Sequence, residues 1–213
     1  MEQKEQTILL KRQPKIIGNY TIAGPKEGQG NFGSYFDYIM KNDHFGQDTF
    51  EKAERKMVEN AITGVVESAK LSPKDIDIMI SGDLLNQIIS SSYAARAFQF
   101  PFLGVYGACS TMAESIAIGS VLVDGGFCKN VVCCTGSHFS TAERQYRFPL
   151  ELGNQRPPTA QWTVTGAGAC VLSMEGNGPK VTMVTFGKVV DWGINDVNNM
   201  GAAMAPVIDI IGP

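Results

Sequence analysis

The chain has 213 residues, 44% of them hydrophobic and 18% charged, with a net charge of −3. This composition can bury the core of one large domain or two small ones, and the mildly acidic balance excludes the basic footprint of a nucleic-acid binder. The opening Met1-Glu2-Gln3-Lys4-Glu5 has no leader pattern, and the longest small and apolar stretch, 101–127, is interrupted by Ser110, Glu114, Ser115 and Asp124, so no membrane span is expected.

Residues 16–23 read as a first strand, followed by the Gly-rich loop 24–30. That loop lacks the G-x-G-x-x-G and G-K-[ST] patterns and opens no clear helix, so a phosphate cradle is a weak alternative to a plain surface loop. Asp48 and Glu51 stand at capping-box spacing, and Ala53, Met57, Ala61, Ile62, Val65 and Ala69 mark one apolar face of a helix ending near Lys70. After a turn at 72–75, residues 76–80 form a short strand that delivers Ser81-Gly82-Asp83-Leu84-Leu85-Asn86-Gln87 at its carboxyl end. A second helix over 89–98 leads to a buried strand within 101–106. Thr111 to Val123 carries Ala113, Ile116, Ala117, Ser120 and Val121 at helical spacing and is stopped by Gly125-Gly126. Residues 130–135 form the next strand and release Gly136-Ser137-His138-Phe139-Ser140. From there to Trp162 the chain is polar and Pro-containing, too long for a simple connection and therefore a candidate functional segment. Residues 163–173 predict a Gly-Ala-Gly-Ala turn and a strand, and 180–190 begins another. Helices alternate with buried strands, so the fold class is α/β with a largely parallel core sheet. Ligand groups in such sheets gather at the carboxyl ends of strands, and Asp83, Cys109 and His138 all stand at such positions.

The five cysteines, at 109, 128, 133, 134 and 170, include no C-x-x-C pair, and only His44 and His138 could join them, so no structural zinc site is expected. An odd count lying mostly in apolar runs fits reduced thiols in a cytosol-like compartment, with Cys128, Cys133, Cys134 and Cys170 as small core hydrophobes. Cys109 differs. It lies in Gly107-Ala108-Cys109-Ser110-Thr111, a strand-to-helix turn where backbone N–H groups and the helix dipole stabilise an anion. That setting can activate a thiol or hold a carboxylate ligand.

The motif order of a strand ending in Gly82-Asp83, Ala108-Cys109-Ser110-Thr111 on a helix, Thr135-Gly136-Ser137-His138 at a strand end, and then Gly166-Ala167-Gly168-Ala169-Cys170 resembles the first half of a thiolase-fold protein of the ketoacyl synthase III type, over residues 16–177. Within that superfamily a closer resemblance is carried by Ala23-Gly24-Pro25-Lys26-Glu27, Ala53-Glu54-Arg55-Lys56, Gly82-Asp83-Leu84-Leu85-Asn86-Gln87 and the Cys109 turn. It continues in Thr141-Ala142-Glu143-Arg144-Gln145-Tyr146-Arg147, Thr163-Val164-Thr165-Gly166, Asp191-Trp192-Gly193-Ile194 and Met200-Gly201-Ala202-Ala203-Met204-Ala205-Pro206. These segments are similar to the stage V sporulation protein AD family and span nearly the whole chain. The resemblance implies a protein that binds dipicolinic acid, or its calcium chelate, and serves its uptake into the developing spore. It implies no cofactor beyond calcium carried by the ligand. It also implies a peripheral place on the cytoplasmic side of the inner spore membrane, beside membrane-embedded proteins of the same operon. The domain expectation is an N-terminal thiolase-like half over 1–177 and the start of the C-terminal half over 178–213, the chain stopping before the usual histidine and asparagine partners of the cysteine. In the complete fold the helix after Cys109 packs on a counterpart from the second half, so here its small-residue face predicts a homodimer.

Acyl transfer needs a nucleophile, a base and an oxyanion hole. Cys109 would be the nucleophile and His138 the base, with His44 read as a solvated loop residue; a structural role for His138 stands equally. Dipicolinate, a flat pyridine with two carboxylates, needs fixed donors, a cation and a stacking face instead. The Cys109-Ser110 amides would take one carboxylate and Thr165 or Asn86 the other. Arg144 or Arg147 would supply charge, and Phe139, Tyr146 or Trp162 a face, unless these aromatics are packing residues. Asp83 opposes an anion unless calcium accompanies it, it orients Asn86, or it caps the next helix. The leading expectation is thus a dipicolinate-binding protein and not a catalyst. The alternatives are a ketoacyl synthase III-like acyltransferase using Cys109 and a structural subunit that recruits membrane partners.

Overall fold

A computed structural model describes residues 6–143, 163–196 and 201–202 of the chain. In chain order the elements are β1 (Thr7–Leu9), β2 (Lys15–Ala23), β3 (Tyr38–Ile39), α1 (Phe50–Ser68), β4 (Ile78–Asp83), α2 (Ile89–Phe98) and β5 (Phe102–Gly104). There follow α3 (Thr111–Asp124), β6 (Asn130–Ser137), α4 (Phe139–Ala142), β7 (Gly166–Ser173) and β8 (Met183–Thr185). Contacts divide the chain into two units, Leu10–Thr182 and a smaller one formed by Met1–Leu9 with Met183–Pro213.

The larger unit is a six-stranded sheet in the order β3-β2-β7-β6-β4-β5. Strand side chains alternate between its faces, as a period of two requires. Met79, Val132, Cys134 and Val171 pack with Met57, Val58, Ala61, Ile62 and Val65 of α1. Their neighbours Ile80, Val131, Cys133, Cys170 and Leu172 pack on the other face with Val123, Met112 and Ile116 of α3. Two glycines let the helices approach closely. A Cβ on Gly64 of α1 would lie 2.4 Å from the Tyr20 ring, and one on Gly119 of α3 would lie 2.9 Å from Leu172. The opposite side of α3 is open, with Ala113 and Val121 exposed and Ala117 half-buried.

The sheet is mixed, which corrects the expectation of a largely parallel one. The pairs β2–β3, β4–β5 and β4–β6 are parallel, but β7 lies antiparallel between β2 and β6. Ser137 at the end of β6 faces Gly166 at the start of β7. The chain therefore re-enters the sheet at the edge where it left, and needs no crossover to the opposite edge. The Gly-Ala-Gly-Ala run is the first half of β7 and no turn. Small residues suit it because the strand is central and covered on both faces.

Other boundaries also shift. Thr49, and not Asp48, caps α1, its Oγ1 accepting the Lys52 N–H at 3.3 Å. Asp77 stays outside β4 because its carboxylate accepts the N–H groups of Lys129 and Asn130 at 2.6 and 2.9 Å. Within 180–190 only Met183–Thr185 is a strand. β1, β3 and α4 have two to four residues each, too short to show periodicity in the sequence. In the smaller unit β1 pairs antiparallel with β8, Thr7 facing Thr185 and Leu9 facing Met183.

Candidate functional site

β2, β4 and β6 end, and β7 begins, at one edge of the sheet: Asp83 faces Gly136, Ser137 faces Gly166, and Ala23 faces Gly166 on the other side. An open cavity of about 550 Å³ lies there, within the size range of small-molecule sites. Its wall is formed by Thr21–Ala23, Glu27, Phe36 and Leu84, by Ala108 and Cys109, by Thr135–Ser137 and by Thr163–Gly168. Of the expected site residues, Cys109 and Thr165 line it.

Cys109 is exposed, whereas Cys128 is half-buried and Cys133, Cys134 and Cys170 are buried. Burial raises the thiols of Cys128, Cys133 and Cys134, the last to about 12, which leaves them inert. The Cys109 turn is held in an unusual shape. Ala108 has φ +45° and Asn86 φ +58°, both in the left-handed region that costs a residue with a Cβ. The Ala108 N–H donates to Asn86 Oδ1 at 3.0 Å, so Asn86 braces the turn from behind and does not line the cavity. Ser110 is exposed but folds back on its own turn: its N–H and its hydroxyl both donate to the Gly107 carbonyl at 2.8 Å. Its amide is therefore committed, and an anion here would rely on that of Cys109.

Thr165 is buried and knits the cavity wall. Its N–H donates to Glu27 Oε1 at 3.0 Å, its carbonyl accepts from Gly24 at 2.8 Å, and its hydroxyl oxygen accepts the Phe139 N–H at 3.1 Å. Asp83 is buried beneath the site, with one carboxylate oxygen accepting the Gln87 N–H at 3.2 Å. Burial raises its pKa against the pull of the Gln87, Ile88, Asn86 and Leu85 amides. This is the geometry of a residue that organises the loop leading into α2. Glu54 of α1 is its buried neighbour, raised to about 7 by burial and by the Asp83 charge, although the Thr141 hydroxyl donates to it at 2.6 Å.

His138 is fully buried and is not among the cavity residues. Nδ1 accepts the Ser140 N–H at 3.1 Å, capping α4, so Nε2 carries the proton and donates to the Asp43 carbonyl at 3.0 Å. The ring stacks on Phe50 and Phe139 at 4.7 and 5.0 Å, and burial lowers its pKa. Both nitrogens are engaged, so His138 as placed is not free to act as a base for Cys109. Arg144, with Tyr146, Arg147 and Trp162, lies outside the described residues.

Two residues that sequence reading passed over also line the cavity, Glu27 and Ser137. The phosphate-binding patterns are defined by their glycines and lysine and give no weight to Glu27, and Ser137 stands next to the more conspicuous His138. Among the described residues no group of three or more His, Cys, Asp or Glu could hold a metal, and no helix is long and apolar enough to cross a membrane.

The family model for stage V sporulation protein AD matches residues 4–211. Stage V sporulation protein AD of Bacillus subtilis (strain 168) is 48% identical over 186 residues, which are 87% of this chain and 55% of that protein. The chain therefore spans about half the length of the curated relative it matches. Among solved structures, 3-oxoacyl-[acyl-carrier-protein] synthase III from Aquifex aeolicus VF5 aligns with a TM-score of 0.52 and 17% identity, over 75% of this chain and 53% of that one. The E117A variant of Xanthomonas campestris OleA aligns with a TM-score of 0.54 and 14% identity, over 78% and 57%. At such identities these two show the fold alone, thiolase-like and of the ketoacyl synthase III type. Fold and sequence together place the chain in the stage V sporulation protein AD family.

Proposed function

We propose that this chain binds dipicolinic acid, free or as its calcium chelate, in the cavity at the strand ends, and serves its uptake into the developing spore as a binding protein without catalysis. The observation that carries the reading is that cavity, opening at the Cys109 turn in a chain matched to its family over residues 4–211. Its wall is largely backbone and apolar side chains, which suits a flat ring held by a few polar groups. The engagement of both His138 nitrogens supports binding over acyl transfer. On the same reading the protein acts as a homodimer beside membrane-embedded proteins of its operon, peripherally on the cytoplasmic side of the inner spore membrane. Isothermal titration with dipicolinate, with and without calcium, is the direct test. Saturable binding without turnover supports the proposal, and absence of binding in both conditions overturns it.

One observation favours a second reading, a ketoacyl synthase III-like acyltransferase: Cys109 is the exposed cysteine and it lines the cavity. An acyl group found on Cys109 by mass spectrometry after incubation with acyl-CoA, followed by turnover, would select that reading.

A further inference from the structure

His138 ties together three pieces of chain beside the cavity. Its Nδ1 accepts the Ser140 N–H at 3.1 Å and so caps α4, while its Nε2–H donates to the Asp43 carbonyl at 3.0 Å. The ring is fully buried and stacks on Phe50 and Phe139. α4 is in turn tied to the cavity wall, because the Phe139 N–H donates to the hydroxyl oxygen of Thr165, which lines the cavity. Asp43, Phe139 and Thr165 also border an adjoining pocket of about 180 Å³. With four residues, α4 has little helical stability of its own, so its cap carries weight.

An imidazole nitrogen that accepts an N–H cannot do so once it carries a proton. A second proton on His138 enters at Nδ1, turns that atom from acceptor to donor and sets it against the Ser140 N–H. We propose that His138 is a proton-operated latch: charging its ring uncaps α4 and loosens the Thr165 side of the cavity wall. The groups around the ring act in both directions. Asp43, in the loop before α1, and Glu51 of α1 favour the charged ring, whereas burial and the neighbouring His44 oppose it. Burial is the largest of these, so the latch opens below the ordinary histidine value of 6.5. Glu54 of α1 reaches α4 by a separate route, accepting the Thr141 hydroxyl at 2.6 Å, and it titrates higher, at about 7. Glu143, just past α4, accepts the N–H and hydroxyl of Thr163, and Lys26 and Glu27 border the smaller pocket beside Phe139. On the dipicolinate reading above, opening the latch weakens ligand binding in acid.

The test is amide hydrogen exchange, corrected for its intrinsic pH dependence, in the parent, His138→Asn and Glu54→Gln from about pH 7.5 to about pH 5. Asparagine is a neutral cap that accepts an N–H throughout this range. Protection of the Ser140 amide in the parent should fall about tenfold, as for the loss of one hydrogen bond, while amides in the middle of α1 keep theirs. The fall should persist in Glu54→Gln and vanish in His138→Asn. Level protection in the parent, a fall that survives His138→Asn, one that Glu54→Gln removes, or one shared equally by α1 overturns the latch. Should His138→Asn fail to fold, nitrogen NMR of the ring in the parent decides: protonation at Nδ1 in step with the loss of protection supports the latch, and loss with a neutral ring overturns it. Calorimetry with dipicolinate should show affinity falling more steeply with acid in the parent than in His138→Asn, and equal dependence overturns the coupling to the cavity. A parent that binds no dipicolinate at either pH removes the ligand reading, while the latch is judged on exchange.

Discussion

Cys109 is informative through the backbone around it more than through its thiol. Ala108 at φ +45° and Asn86 at φ +58° are held against their steric preference, and the Asn86 side chain bonded to the Ala108 N–H fixes the turn. Asn86→Ala removes that bond and leaves a β-carbon residue in a left-handed conformation that asparagine tolerates better. It should cost about 2 kcal/mol in urea unfolding. At the ligand site, Cys109→Ser should keep most dipicolinate binding and Cys109→Phe should abolish it by filling the cavity mouth. Equal affinity in Cys109→Phe and the parent, measured by calorimetry, would move the ligand elsewhere. Cys109 and Thr165 were legible from their positions at a strand-to-helix turn and a strand start. Glu27 and Ser137 were not, because their place on the cavity wall exists only once the strand ends are brought together.

Among the elements, α1 carries the clearest pH signature. Glu54 is buried against Asp83 and Thr141, and its pKa rises from 4.5 to about 7. The folded chain therefore holds a proton that the unfolded chain releases. This stability is fully present below about pH 4.5 and is lost as pH rises to 7, for a total of about 3 kcal/mol. Asp83, also raised, acts in the same direction. His138, lowered by burial, acts in the opposite direction, removing stability as pH falls through and below its ordinary 6.5. Comparing Glu54→Gln with the parent across pH 5 to 8 isolates the first effect. The variant should be flatter by roughly the stated amount, and parallel curves would remove Glu54 as the source. Packing of α1 on β2 gives an independent test. Gly64→Ala would drive a methyl into the Tyr20 ring at 2.4 Å and should cost about 2 kcal/mol, read as a lower midpoint in thermal unfolding.

For the whole molecule, the open side of α3 is the feature that bears on assembly. Ala113 and Val121 are exposed and Ala117 is half-buried along the side of the helix turned away from the sheet. An apolar face of this kind is unfavourable in water. We expect a dimer by light scattering, and a stable monomer of this chain would count against it. Much of the architecture was readable from the sequence. The helix over 89–98, the helix after Cys109 and the strands flanking them follow from periods of 3.6 and 2 that burial on one face imposes locally. So do the α/β class and, through motif order, the family. The antiparallel placement of β7 was not readable, because strand direction depends on which sheet edge the chain re-enters and leaves no mark on a buried eight-residue run. Nor were the engaged nitrogens of His138 and the bonded carboxylate of Glu27. Their states depend on Asp43, Ser140 and Thr165, and it is tertiary folding that brings Asp43 to His138, 95 positions away, and Thr165 to Glu27, 138 away.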